Sequence, residues 1–104
     1  MVLEKKIIIK NKLGLHARPA ALFVQIANKF DSNITVRKGK EEVNGKSIMG
    51  ILTLAAEKGS TIYLKANGSD ADEAIVELER LLSGELDEAS LSAKIKSATN
   101  IKTK

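Results

Sequence analysis

The sequence of 104 residues contains no cysteine and no tryptophan, one histidine, one proline and only 3% aromatic residues. Without cysteine there are no disulfides, thiolate metal sites or thiol nucleophiles, which agrees with a cytoplasmic location. Scarce aromatics require an aliphatic core and leave little on which nucleic-acid bases would stack. No apolar run approaches the length that crosses a bilayer. The opening Met-Val-Leu-Glu-Lys-Lys-Ile-Ile-Ile-Lys lacks the long apolar stretch of a signal peptide. A protein without membrane insertion is therefore expected.

A one-sided charge is also missing from most of the chain. The formal charge of +4 comes from 17 Lys and Arg against 13 Asp and Glu, and the surplus is Lys94, Lys96, Lys102 and Lys104. Those four lie in a stretch without acids, while residues 1–88 are balanced. A nucleic-acid-binding face needs clustered cations interleaved with aromatics, and neither is visible.

The 43% of apolar residues marks a globular chain, and its length fits one domain. The expected organisation is a folded domain over 1–88 followed by a basic extension over 89–104. Ser, Lys, Thr and Asn dominate the extension, which predicts disorder; Ala89, Leu91, Ile95 and Ala98 offer one weak helical stripe as the alternative.

Periodicity gives the elements. Residues Val2 to Lys10 alternate Leu3, Lys5, Ile7 and Ile9 against Val2, Glu4, Lys6 and Ile8, as a strand does. A helix over about 17–28 follows from Leu22, Phe23, Ile26, Ala27 and Phe30, which share one face at a period of 3.6. Ile34-Thr35-Val36-Arg37 and Glu41–Val43 read as a hairpin around Gly39. Ile48 to Leu52 forms a short apolar helix behind Ser47, a favoured capping residue. Thr61 to Asn67 is a further strand. The last helix has the face Ala71, Ala74, Ile75, Leu78, Leu81 and Leu82, with Ser69 or Asp70 as cap and Ser83-Gly84 as stop. The order β-α-β-β-α-β-α, with half-apolar strands, predicts an α+β two-layer open-faced sandwich: a four-stranded antiparallel sheet with three helices on one face.

The chemistry concentrates in Gly14-Leu15-His16-Ala17-Arg18-Pro19-Ala20. Pro19 suits a first helical turn, where donors lack intrahelical partners, so His16 falls at the N-cap. The backbone N–H groups of Ala17 and Arg18 then face whatever the imidazole carries, and helix starts of this kind receive anions. Arg18 adds a forked cationic phosphate ligand. A neutral imidazole is a competent nucleophile near neutral pH. The motif thus reads as a group that accepts and releases phosphate; its plainer reading is ordinary helix-start chemistry around a surface histidine.

With Val43-Asn44-Gly45-Lys46-Ser47-Ile48-Met49-Gly50, this motif resembles HPr, the histidine-containing phosphocarrier family of the bacterial phosphoenolpyruvate:sugar phosphotransferase system. The resemblance covers about residues 1–87. It implies that His16 is phosphorylated on Nδ1 by Enzyme I and that sugar-specific transport components accept the group. Such a carrier is a regenerated co-substrate rather than an enzyme, a monomer that needs no cofactor or metal. The resemblance further implies that Ser47 is phosphorylated by an HPr kinase/phosphorylase, where the host has one, and that this form is read by a transcriptional regulator. It places partner docking on Ala17, Ala20, Ala21, Ile48, Met49 and Leu52. From the residues alone Ser47 is equally a helix cap; Ile48, Met49 and Leu52 have a plain core reading, but three apolar residues on so short a helix favour exposure of some of them, as at a partner site. The alternative within the family is a regulatory paralogue in carbon or nitrogen control; loss of the histidine is its usual signature, and here the histidine is retained. Family members usually end near the position of Glu88, so the extension departs from the pattern.

Overall fold

The computed structural model describes residues 1–84. The element order is β1 (Val2–Ile8), α1 (Ala17–Ala27), β2 (Asn33–Lys38), β3 (Glu41–Asn44), α2 (Ile48–Leu54), β4 (Thr61–Asn67) and α3 (Ala71–Leu82). The four strands form one antiparallel sheet in the order β1-β4-β2-β3. The expected open-faced α+β sandwich is what forms. Residues 85–88 of the expected domain and the expected disorder of 89–104 lie outside the described residues.

Alternation along the strands separates the two faces. Ile7, Ile34, Val36, Ile62, Leu64 and Ala66 are buried against the helices, and each of the Ile, Val and Leu side chains contributes about 1.5–3 kcal/mol by leaving water. On the opposite face the guanidinium of Arg37 lies 4.2 Å from the centre of the Tyr63 ring, a cation–π pair on neighbouring strands. The helix α3 buries Ala71, Ala74, Ile75, Leu78, Leu81 and Leu82, the face its spacing predicts.

Three expectations are corrected. The strand β1 stops at Ile8 rather than Lys10, although Ile9 stays buried and pairs onward through Ile9 N–H to Ser60 O (2.9 Å) and Gly59 N–H to Ile9 O (2.8 Å). On α1, Phe30 lies beyond the helix end and Leu22 is only half-buried; the buried set is Pro19, Ala20, Phe23, Ile26 and Ala27. Asp70 holds the N-cap position of α3 without capping it through its side chain.

The Asp70 carboxylate reaches instead across to the α1–β2 turn. It accepts hydrogen bonds from Asp31 N–H (2.9 Å), Ser32 N–H (3.0 Å) and the buried Ser32 hydroxyl (2.5 Å). Gly68 makes room for this clasp, because a Cβ there would stand 2.5 Å from Ser32 Oγ and 2.7 Å from its Cα. The Ser32 hydroxyl first, then the Asp31 N–H, hold the Asp70 carboxyl below its ordinary value. A depressed folded-state pKa contributes stability above the ordinary carboxylate range, and that stability is lost as pH falls through the folded value. Asp70→Asn should therefore lower Tm more at neutral pH than at acid pH, where that contribution is lost. Thermal melts of the two chains at both pH values test this; equal losses would remove the charge from the explanation.

Candidate functional site

His16 is placed by a loop fixed at several points rather than by the helix alone. Lys10 and Asn11 donate their N–H groups to Leu82 O at the end of α3 (2.8 and 3.1 Å). The buried Asn11 side chain donates through Nδ2 to Gly14 O (2.8 Å), closing the turn from within. Leu15, fully buried, donates its N–H to Ala56 O just beyond α2 (2.7 Å). Gly14 has φ +63°, and a Cβ on it would meet Ala56 O at 2.6 Å and Glu57 Cα at 2.8 Å. Only glycine lets the two backbones come this close.

At the end of this loop His16 occupies the N-cap of α1 with extended backbone (φ −117°, ψ 156°), half-buried, its side chain making no capping hydrogen bond. The imidazole is not consumed by the helix it begins. The next residue, Ala17, has φ +44°, a left-handed conformation costing about 1–2 kcal/mol for a residue with a Cβ. A left-handed residue leading into helical ones turns successive N–H groups toward one side, the backbone concavity in which anions sit. Pro19 follows within the first turn, buried, and Arg18 is exposed.

The second motif lies on the helix packed beside α1. Ser47 caps α2, its Oγ accepting from Gly50 N–H (3.1 Å). Gly45 seats the preceding turn against β2, since a Cβ there would lie 2.5 Å from Ile34 Cγ2. On α2, Ile51 and Leu54 face the core while Ile48 (37% exposed), Met49 (69%) and Leu52 (39%) face solvent. The C-terminal end of α2 adjoins the His16 loop through the Leu15–Ala56 hydrogen bond. Ser47 stands at its other end, a helix of seven residues or about 10 Å away.

Of the residues predicted for docking, Ala20 is corrected: it is fully buried in the core, because it shares the inner face of α1 with Phe23 and Ala27. Ala17 is exposed and Ala21 half-buried. Sequence reasoning missed Asn11, Gly14 and Ala17 as positioning residues. It also missed Leu13, an apolar side chain 54% exposed just ahead of the site. Gly14 carried a signal, as glycine before a helix start; the left-handed Ala17 carried none. Among the described residues no group of three His, Cys, Asp or Glu is arranged to hold a metal, and no helix is long and apolar enough to cross a membrane.

The class of protein so defined is a small one-sided α+β sandwich whose sole histidine stands at a helix start. The comparisons give that class its family. The family model described as the PTS HPr component phosphorylation site matches residues 3–84. The chain is 53% identical over 74 residues to the HPr-like protein Crh of Halalkalibacterium halodurans, covering 71% of this chain and 88% of that one. It is 48% identical over 83 residues to the phosphocarrier protein HPr of Neisseria meningitidis serogroup B, covering 80% and 93%. The crystal structure of a phosphocarrier protein HPr from Bacillus anthracis superposes with a TM-score of 0.76 at 47% identity, over 78% of this chain and 96% of that one. The chain belongs to the HPr family of phosphocarriers, whose members are intermediates in phosphotransfer rather than catalysts.

Proposed function

We propose that His16 is the residue that carries the phosphoryl group, taken from phosphorylated Enzyme I and passed to sugar-specific transport components of the cytoplasm, the chain acting as a monomer. The observation that carries this reading is the placement of the only histidine: an N-cap imidazole without a capping bond, on a loop pinned at both ends. In the transfer the Nδ1 lone pair forms a bond to phosphorus as the bond from phosphorus to the donor breaks, while the ring proton stays on Nε2. With Nε2 protonated the phosphorylated ring is a cation, and it leaves as neutral imidazole when the next acceptor takes the group. The Ala17 and Arg18 N–H groups and the Arg18 guanidinium hold phosphate oxygens, which is positioning and charge stabilisation rather than bond cleavage. Intact-mass measurement after incubation with Enzyme I and phosphoenolpyruvate tests this. A single acid-labile phosphoryl group is expected, and an unchanged mass would overturn the reading.

The Arg18 role has its own test. Arg18→Lys keeps the charge and loses the fork, so transfer from Enzyme I should slow while Tm stays at the wild-type value. Normal kinetics with a lowered Tm would instead make Arg18 structural.

Ser47 is proposed as a regulatory phosphosite for an HPr kinase/phosphorylase, with Ile48, Met49 and Leu52, beside Ala17 and Ala21, as the docking surface for Enzyme I. Exposed apolar side chains grouped on one short helix fit partner contact, and Ser47 is their neighbour. A phosphate there adds about −1.5 to −2 charge at the edge of an apolar contact, which opposes docking to Enzyme I and marks the chain for a transcriptional regulator instead. The chain phosphorylated at Ser47 should accept phosphate from Enzyme I at least about tenfold more slowly, through a raised KM, since misplaced interface charge costs several kcal/mol. Equal rates for the two forms would reduce Ser47 to its capping role. A purely regulatory relative in carbon or nitrogen control would not need the histidine, and its retention favours the carrier.

A further inference from the structure

On the side of the molecule formed by the end of α1 and the start of α3, an open groove of about 540 Å³ is lined by Lys29, Phe30, Asp72, Glu73, Val76 and Glu77. Phe30 and Val76 supply its apolar surface, and Val76 is 55% exposed. The rim carries three carboxylates against one lysine, a local imbalance in a domain whose charges over residues 1–88 sum to zero. Neither Ser47 nor His16 lines it.

We infer that residues 89–104 of this same chain occupy the groove. That segment has no acid and four lysines, Lys94, Lys96, Lys102 and Lys104, and its apolar residues Leu91, Ile95 and Ala98 recur at intervals of four and three. It therefore offers what the groove lacks: cations for Asp72, Glu73 and Glu77, and apolar side chains for Val76 and Phe30. Reach is sufficient. Val76 lies six residues before Leu82, the last residue of α3, or about 9 Å of helix, and the nine residues from Leu82 to Leu91 span up to about 30 Å. A segment held along α3 also braces the helix end whose Leu82 carbonyl anchors Lys10 and Asn11 ahead of His16.

The absence of cysteine permits a clean test on the full chain. A nitroxide attached through Ser97→Cys should reduce the amide signals of Lys29, Glu73, Val76 and Glu77 at least about twofold at low salt, and the signals should recover near 1 M salt, where charges are screened within about 3 Å. The additional double substitution Glu73→Lys and Glu77→Lys should abolish the effect while leaving the rest of the spectrum in place. Mixing isotope-labelled chains with separate spin-labelled chains should show no attenuation. The inference is overturned if α3 signals are unaffected, if attenuation centres on another surface such as that around Met49, if it survives the double charge reversal, or if it appears in the mixed sample, which would make the occupant a second copy.

Discussion

A His16→Ala chain is expected to take up no phosphoryl group from Enzyme I and phosphoenolpyruvate, at a cost in stability of less than about 0.5 kcal/mol, the bottom of the range for caps that do form a hydrogen bond. Tm should fall by no more than about 2–4 °C on that account. The two halves of the expectation have separate causes. Transfer is lost completely because no second imidazole and no thiol exists in the sequence, and the hydroxyl that, among the described residues, does donate to a carboxylate, Ser32 to Asp70, is buried out of a donor's reach. Stability is kept because the imidazole makes no capping bond and the loop around it is held by Asn11, Gly14 and Leu15. Enzyme I labelling followed by intact mass, beside a calorimetric melt, checks both. Full labelling of the alanine chain would remove His16 from the chemistry.

The largest effect on stability is expected at Gly14. Gly14→Ala places a methyl group 2.6 Å from Ala56 O and 2.8 Å from Glu57 Cα, both backbone atoms that no side-chain rotation relieves. Overpacking of this kind costs about 1–3 kcal/mol, and φ +63° adds about 1–2 kcal/mol for a residue with a Cβ. Together these amount to about 2–5 kcal/mol, a large share of the stability of a small domain. If the chain relaxes rather than unfolds, the Leu15–Ala56 bond lengthens and His16 moves, so transfer falls with stability. Denaturant unfolding gives the size of the loss, and Gly39→Ala provides the comparison, because a Cβ at Gly39 meets nothing within 4 Å despite a similar φ. Equal losses at the two positions would show that backbone conformation, not contact with Ala56 and Glu57, sets the cost.

Much of this architecture was legible in the residues. The face of α3 was readable because its six buried positions recur with helical spacing and acids occupy its first turn. His16 at the helix start followed from Pro19, and the exposure of some of Ile48, Met49 and Leu52 from the number of apolar residues on so short a helix as α2. What escaped was set by distant partners. Asp70 looks like a cap in sequence, yet its carboxylate is claimed by Asp31 and Ser32, 39 and 38 residues away. The resemblance marks the start of α1 for docking without separating its faces, and Ala20 lies on the inner one with Phe23 and Ala27. The left-handed Ala17 is a tertiary effect, imposed where a buried loop meets a helix, and alanine gives no local sign of it. Strand order lay beyond sequence reasoning because β1 pairs with the most distant strand.

The measurement closest to the central claim is return of the phosphoryl group. Chain phosphorylated on His16, separated from phosphoenolpyruvate and donor, is mixed with unphosphorylated Enzyme I and pyruvate. A carrier holds the group in a bond that stays transferable, so the account predicts loss of the phosphoryl group from the chain, matched by formation of phosphoenolpyruvate. A chain that keeps its phosphate under these conditions, or releases it only as inorganic phosphate, would contradict the account.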